Sequence, residues 1–225
     1  MARSVTFANF KVMERIAILG AGDLGESLRQ YALDRGDVAI AGFLDDARPR
    51  GSSFLGSEIL GTASDAPHLY KSGAFDRVAF AIGYRNITIR KQRFEQLRAA
   101  GVPIYSVVHP SAYVHPTAKI GAGVHIFPTA AIDMAVTVGD NVVFNTGCII
   151  AHHSSVGSHC YFGPGVRVAG ITNIGECCFV GIGASIIEKI QIGEGTVVAA
   201  GAVVTDNVEP RSLMAGVPAI CKKQL

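Results

Sequence analysis

A six-residue repeat runs through the second half of the chain and constrains the fold more than any other feature. Large apolar residues occupy sixteen successive sixth positions: Val114, Ile120, Ile126, Ile132, Val138, Phe144, Ile150, Val156, Phe162, Val168, Ile174, Val180, Ile186, Ile192, Val198 and Val204. This period is neither helical nor the two-residue alternation of an ordinary strand. It predicts a chain that turns a corner every six residues, closes a coil every eighteen, and points the large side chain inward. Five stacked coils, about 4.8 Å apart, would stand roughly 24 Å tall.

The position two residues before the large apolar residue is mostly small or β-branched. Cys148, Cys160 and Cys178 occupy it, and we expect them to be compact core residues rather than reactive groups. The five cysteines include no C-x-x-C pair, and their odd number disfavours a disulfide framework. The repeat resembles the left-handed parallel β-helix. That handedness is implied by the resemblance alone, because it breaks the right-handed crossover rule.

The first half of the chain carries a glycine turn in the segment "RIAILGAGDLG", residues 15–25. Its glycines have the G-x-G-x-x-G spacing and follow an apolar strand, and two aspartates end the next strand about twenty residues later. Strands near 15–19, 37–46, 76–83 and 102–108, with helices over 24–34 and 87–101, predict a parallel α/β sheet. About 95 residues hold only half a dinucleotide fold, which favours a mononucleotide ligand over NAD. The alternative is that the glycines only permit close packing of strand and helix.

Charge also divides the chain, because residues 1–110 hold 25 Lys, Arg, Asp and Glu and residues 111–225 hold only 13. We predict an N-terminal extension over 1–13, an α/β domain over 14–109, a β-helix over 110–209 and a C-terminal tail over 210–225. The net charge of +2 does not indicate nucleic acid or a membrane surface as partner. No apolar run approaches the roughly 20 residues of a membrane helix, and residues 1–13 do not form a signal peptide. We therefore expect a cytoplasmic protein.

A coil of this kind leaves no room inside for a substrate, so function must lie on its faces, at its ends or between copies. The segment 144–163, "FNTGCIIAHHSSVGSHCYFG", is the richest in outward polar residues. Its histidines are either solvated turn residues, a metal site formed by His152, His153 and His159, or a general base. The metal site is disfavoured, because His152 and His153 would point to opposite sides of an extended chain and no carboxylate lies nearby in sequence.

Several motifs together resemble one family: "GAGDLG", "FLDD", "AIGYRN", "NTGCIIAHH", "VAG", "GIGASI", "AAGAVV" and "AGVPA". They are similar to those of the nucleotide-sugar acetyltransferases of bacterial glycan assembly, including lipopolysaccharide. That family contains bacillosamine and perosamine N-acetyltransferases, with sialic acid O-acetyltransferases as relatives. The resemblance covers residues 15 to about 221. It implies a homotrimer, acetyl-CoA bound between adjacent β-helices, no metal, and direct attack of a sugar amine on the thioester.

The resemblance also assigns roles to residues. His152 is implied as the general base, with His153 beside it and Asn145 holding the amine or the thioester region. The implied coenzyme contacts are Tyr161, Gly170, Ile182, Ala200, Gly201, Pro218, and Lys222 or Lys223. The implied contacts of the nucleotide-linked amino sugar are Gly22, Asp23, Leu24, Asp45, Asp46, Gly83 and Tyr84.

Two departures from the family pattern affect these expectations. His153 stands where an acidic residue commonly follows the catalytic histidine, so the base gains a hydrogen-bond acceptor without a negative charge. Asp23 and Leu24 replace a common Gly-His pair, and a carboxylate repels a pyrophosphate, so we expect Asp23 to face the sugar. The alternatives to sugar N-acetylation are O-acetylation of a sialic-acid-type sugar and a non-catalytic, nucleotide-binding trimeric scaffold.

Overall fold

Among the residues that the structure describes, the α/β half is a six-stranded sheet with three helices. A computed structural model of the protein describes residues 13–225, so the predicted extension lies outside the described residues except for Met13. The strands are β1 Glu14–Leu19, β2 Val38–Leu44, β3 Ser53–Phe54, β4 Ser57–Gly61, β5 Arg77–Phe80 and β6 Ile104–Tyr105. The helices are α1 Asp23–Asp34, α2 Ala66–Lys71 and α3 Ile87–Ala99, with 3₁₀ turns at Ala63–Asp65 and Tyr84–Asn86.

The strand order of this sheet is β3-β4-β2-β1-β5-β6. β4, β2, β1, β5 and β6 pair in parallel, whereas β3 pairs antiparallel with β4. This confirms the predicted parallel α/β sheet. The β3–β4 hairpin and α2 were not predicted, because strands of two and five residues and a helix of six carry too little periodicity to be recognised.

The second half is a parallel β-helix with three faces. The first face is formed by β7 Tyr113–Val114, β10 Ala131–Ile132, β13 Ile149–Ile150, β16 Arg167–Val168, β19 Ser185–Ile186 and β22 Val203–Val204. The second is formed by β8 Lys119–Ile120, β11 Thr137–Val138, β14 Ser155–Val156, β17 Asn173–Ile174 and β20 Gln191–Ile192. The third is formed by β9 His125–Ile126, β12 Val143–Phe144, β15 Tyr161–Phe162, β18 Phe179–Val180, β21 Val197–Val198, β23 Ser212–Ala215 and β24 Ile220–Gln224.

Successive strands on each face are eighteen residues apart, as the repeat predicts; Ile149, for example, pairs with Ala131 below and Arg167 above. Most corners place one residue in the left-handed backbone region, either a glycine such as Gly147 at φ 71° or a non-glycine such as His153 at φ 57°. A left-handed residue turns the chain sharply. The corners therefore determine where the histidine side chains emerge.

The interior of the β-helix is a single column of apolar side chains. The sixfold residues from Ile126 to Val204 are all buried, and the first two, near the open end, are partly buried. Cys148, Cys160 and Cys178 are fully buried in the same column, which confirms their predicted core position.

The α/β domain sits on the third face and shares a core with it. Phe127, Val143 and Tyr161 of the β-helix belong to the same buried cluster as Ile16 and Phe43 of the sheet. β6 ends at residue 105 and β7 begins at residue 113, and the exact limits of the domains remain a prediction. Within residues 13–225, no helix has the length and apolar character needed to cross a bilayer.

Candidate active site

The glycine turn connects β1 to α1, and its three glycines serve different purposes. A Cβ atom at Gly25 would lie 2.0 Å from the carbonyl oxygen of Gly20, and one at Gly20 would lie 2.8 Å from the carbonyl oxygen of Ala81. These two glycines are required by packing. A Cβ at Gly22 would meet no atom of the described chain within 4 Å. Gly22 therefore leaves space for a ligand at the amino end of α1, where unpaired N–H groups favour an anion.

A cleft of about 600 Å³ opens between this turn and the third face. It brings together five predicted sugar-nucleotide residues with two from the β-helix: Gly22, Asp23, Leu24, Gly83, Tyr84, Asn145 and Tyr161. Asp23 and Glu26 place two acidic groups in the first turn of α1. Arg85 also lines the cleft, and Arg48 donates its Nε–H to the carbonyl oxygen of Ala21, 3.1 Å away. Cationic as well as acidic side chains therefore lie at the cleft and the glycine turn.

Asp45 and Asp46 lie at a separate pocket of about 240 Å³. The Asp45 carboxylate accepts the backbone N–H of Ala21 at 2.7 Å, so it braces the glycine turn. Asp46 accepts the N–H of Ala63 at 2.9 Å and pairs with the guanidinium of Arg93 at 3.0 Å. Ile82 lines both this pocket and the larger cleft. The glycine turn also borders both cavities, with Gly20 at this pocket and Gly22 at the larger cleft.

Aromatic rings form the wall between the cleft and the upper coils. Tyr84 stacks on Phe179 at 4.6 Å between ring centroids and lies 5.1 Å from Tyr161. Asn145 donates its Nδ2–H to the Tyr161 hydroxyl at 3.3 Å. Burial raises the pKa of Tyr161, so its phenol stays neutral and able to donate. Tyr161, predicted to touch the coenzyme, therefore lies in the cleft beside Asn145. Phe179 was missed, although an aromatic residue at an outward position of the repeat is a usable signal.

His152 and His153 form a hydrogen-bonded pair at one corner of the coil. Their Nδ1 atoms are 3.2 Å apart, and both side chains are exposed. The expectation that they point to opposite sides is wrong, because the chain turns there instead of running extended. One Nδ1 must carry a proton and the other must accept it. Within residues 13–225, no group of three or more His, Cys, Asp or Glu is placed to hold a metal ion.

His159 is not part of this pair. It is buried at a different corner, where its Nδ1 lies 3.0 Å from the Asn141 amide nitrogen and its Nε2 lies 3.2 Å from a carboxylate oxygen of Glu95. Burial lowers the pKa of His159. This histidine joins the β-helix to α3 and does not lie at the exposed corner that holds His152 and His153.

Gly170 lies one coil above His152 and makes room for its ring. A Cβ atom at Gly170 would lie 2.7 Å from Cε1 and 2.8 Å from Nε2 of His152. Such distances are shorter than real contacts allow, so the imidazole rests directly against the glycine backbone. The absence of a side chain at this position determines where the ring sits.

The remaining predicted residues divide between two edges of the first face. His152 and Gly170 lie at the corner that follows the strands of this face, whereas Asn145, Ile182, Ala200 and Gly201 lie at the corner that precedes them. Ile182 is 57% exposed. Pro218 and Lys222 are exposed at the C-terminal hairpin formed by β23 and β24. A single chain therefore does not bring His152 to the cleft that holds Asn145.

The fold defines a class: an acyltransferase-type left-handed β-helix that carries a half-size α/β domain at its N-terminal side. The family model described as the PglD N-terminal domain matches residues 15–97. A histidine-to-alanine mutant of GDP-perosamine N-acetyltransferase from Caulobacter crescentus, solved with CoA and GDP-perosamine, is 30% identical with a TM-score of 0.87. The match covers 93% of this chain and 97% of that one.

The acetyltransferase domain of PglB from Neisseria gonorrhoeae FA1090, solved with acetyl coenzyme A, is 30% identical with a TM-score of 0.85. That match covers 95% of this chain and all of the other. The UDP-N-acetylbacillosamine N-acetyltransferase of Bacillus subtilis (strain 168) is 31% identical over 111 residues, which are 49% of this chain and 50% of that protein. The alignment thus spans about half the length of this curated relative. The chain belongs to the family of acetyl-CoA-dependent nucleotide-sugar N-acetyltransferases.

Proposed function

We propose that this protein transfers the acetyl group of acetyl-CoA to the amine of a nucleotide-linked amino sugar, in the cytoplasmic synthesis of a bacterial surface glycan such as lipopolysaccharide. One observation carries the proposal. The cleft of about 600 Å³ joins the open glycine turn to Asn145 and Tyr161 of the β-helix. Such a cavity fits a ligand that has a phosphate at one end, near Gly22, and a reactive group at the other, near Asn145 and Tyr161.

The phosphates are placed at Gly22 and the amino end of α1, because no side chain fills that space and helix N–H groups attract anions. The base takes the pocket beside Asp45 and Asp46, where carboxylate oxygens accept N–H donors. The sugar then lies toward Tyr84 and Asn145. Asp23, at the cleft but repelled by phosphate, contacts the amino or hydroxyl groups of the sugar.

The acetyl transfer site forms between copies of the chain, in the homotrimer expected for the family. His152 and the cleft of one chain lie at different corners, so a neighbouring copy supplies the histidine. Met134, Ile149, Ile171 and Ile187, on the first face and around the His152 corner, are exposed apolar residues, as expected for a surface that a second β-helix covers. Acetyl-CoA lies along the same junction, against Gly170, Ile182, Ala200 and Gly201, with Pro218 and Lys222 toward its nucleotide end.

His152 is the general base through its Nε2 atom. For Nε2 to be free, the Nδ1–H of His152 must be donated to Nδ1 of His153 across the 3.2 Å contact. The sugar nitrogen attacks the thioester carbonyl as Nε2 takes its proton, so an N–C bond forms and the C–S bond breaks. The proton then passes from His152 to the departing sulfur of CoA, and the base is regenerated.

His152→Ala tests this assignment. We expect turnover with acetyl-CoA and UDP-, dTDP- or GDP-linked amino sugars to fall by about 10²–10⁴-fold, the usual contribution of a general base, while calorimetric acetyl-CoA binding changes little. His68→Ala, on the exposed side of α2, is the matched control and should keep full activity. A His152→Ala enzyme that retains most of its rate would disprove the role.

The acceptor and the assembly are tested separately. A 4-amino-sugar nucleotide is assayed against free sialic acid, and acetylation of sialic acid alone would replace the proposal with O-acetylation. No binding of acetyl-CoA would instead favour the non-catalytic scaffold. Sedimentation velocity should show a trimer, and a monomer with full activity would contradict a site shared between copies.

A further inference from the structure

Arg90 is a buried cation that the proposed chemistry does not use. It lies on α3, is fully buried, and has no carboxylate partner among residues 13–225. Burial lowers its pKa to about 10, so it stays charged at neutral pH. Its Nη1 donates to the carbonyl oxygen of Ile82, its Nη2 donates to that of Asn141 at 3.1 Å, and the group stands 5.5 Å from the ring centre of Phe80.

Stability alone does not explain this residue. A buried charge without a counter-ion loses its hydration, and a well-packed apolar residue is often neutral or stabilising in its place. Docking of α3 is already supplied by other cations of the same helix. Lys91 pairs with Glu176 at 3.3 Å, and Arg98 pairs with Asp140, in both cases near the surface. What distinguishes Arg90 is the pair of backbone carbonyls that it holds.

The first of these carbonyls belongs to a segment that borders both cavities. Ile82 follows β5 and lines both the cleft and the aspartate pocket. Gly83 comes next and precedes the 3₁₀ turn that begins at Tyr84. The direction of the Ile82 carbonyl therefore affects the positions of Gly83 and Tyr84, which line the cleft. The second carbonyl belongs to Asn141, at a corner of the β-helix, so one guanidinium joins the wall to the coil.

A shift of the Ile82 backbone would also affect the aromatic rings that border the cleft. Tyr84 rests on Phe179 and lies against Tyr161, whose hydroxyl accepts from Asn145. A shift at Ile82 moves Tyr84 relative to these rings. The position of the wall on which the sugar lies thus depends on a group that touches no ligand.

We propose that Arg90 is a positioning residue for the sugar-nucleotide site, which it shapes by holding the Ile82 carbonyl at a fixed place relative to the β-helix. The inference rests on the proposed function, because it assigns the cleft and the aspartate pocket to the nucleotide-linked sugar. Nucleotide binding should respond more than CoA binding, since the predicted acetyl-CoA residues lie off the Ile82–Tyr84 segment and Tyr161 alone among them lines the cleft.

Arg90→Met removes the donors and keeps an unbranched side chain. We expect calorimetry to show at least about tenfold weaker binding of the nucleoside diphosphate (UDP, dTDP or GDP) that the unaltered protein binds, with CoA affinity within about twofold. The KM for the sugar nucleotide should rise by a similar factor, while kcat at saturation changes much less. Arg90→Lys, which keeps the charge, should recover part of the affinity. Arg98→Met is the matched control on the same helix and should leave both affinities within about twofold.

Several outcomes would overturn the inference. Equal nucleotide affinity in Arg90→Met and the unaltered protein refutes it while the proposed function stands. Parallel loss of nucleotide and CoA binding shows a general folding role and also refutes it. If the unaltered protein binds CoA but none of the three nucleotides, the proposed function fails and this inference with it. Where thermal unfolding shows that Arg90→Met is not folded, Arg90→Gln replaces it under the same criteria.

Discussion

Gly170→Ala is the sharpest test of how the catalytic corner is built. The added methyl group would lie 2.7 Å from Cε1 of His152, whereas ordinary contacts begin near 3.4 Å. The imidazole must therefore move by about 0.7 Å, the difference between these two distances. A misplacement of about 1 Å costs on the order of 10²-fold in rate. We expect kcat to fall roughly 10- to 100-fold.

The same substitution should leave the fold intact. Gly170 does not lie in the left-handed backbone region, so alanine is sterically allowed there. A compatible Gly→Ala change alters stability by only about 0.4–1 kcal/mol, in the favourable direction. The thermal midpoint should therefore hold or rise while kcat falls.

The assay is steady-state release of the CoA thiol, combined with a double-mutant cycle. In a His152→Ala background, Gly170→Ala should have no further effect, because the ring that it displaces is absent. A Gly170→Ala enzyme within twofold of the full rate would refute the ring placement. Additive losses in the double mutant would show that the methyl group acts instead on the coenzyme contact predicted at Gly170.

Two other predictions concern the glycine turn and a buried histidine. Gly22→Ala should keep stability and lose nucleotide affinity, whereas Gly25→Ala, whose Cβ would lie 2.0 Å from the Gly20 carbonyl oxygen, should lose about 1–3 kcal/mol in urea unfolding; the reverse result would mean that the turn only packs strand against helix. Burial lowers the pKa of His125, which lies 3.0 Å from the Phe80 carbonyl oxygen, to about 3. Between pH 6.5 and 3 the unfolded chain binds a proton that the folded chain does not, so stability should fall with decreasing pH by up to about 1.4 kcal/mol per unit. His125→Gln should reduce this slope by the contribution of one proton, and an unchanged slope would assign the acid sensitivity to other groups such as His159, whose pKa burial also lowers.

Prediction from sequence succeeded where structure is local and repeated. Large apolar residues recur every six positions through the whole β-helix, so the prediction of the coil does not depend on any single residue. The small-position cysteines followed from the same register and are buried as expected. The β3–β4 hairpin and α2 do not belong to a repeat and were missed. Segments of two to six residues are too short to show a hydrophobic periodicity.

The candidate site was predicted in composition but not in arrangement. Gly22, Gly83 and Asn145 share one cleft, although they come from distant parts of the chain. The interaction of His152 with His153 depends on the left-handed backbone at residue 153, which periodicity does not reveal. The placement of Tyr161 in the cleft depends on where the α/β domain settles on the third face.

The candidate site residues were implied by the resemblance of the sequence motifs to the acetyltransferase family. The sequence by itself determined the β-helix and the half-size α/β domain. These properties follow from patterns within a few residues, and burial of regularly spaced apolar groups enforces them. Only the tertiary structure decided that His152 and Asn145 occupy different corners, that Gly170 leaves room for the imidazole, and that a buried arginine donates to the carbonyl of Ile82, which lines two cavities. Such relations join residues that are eighteen or more positions apart or in different domains, and only packing of the folded chain brings them into contact.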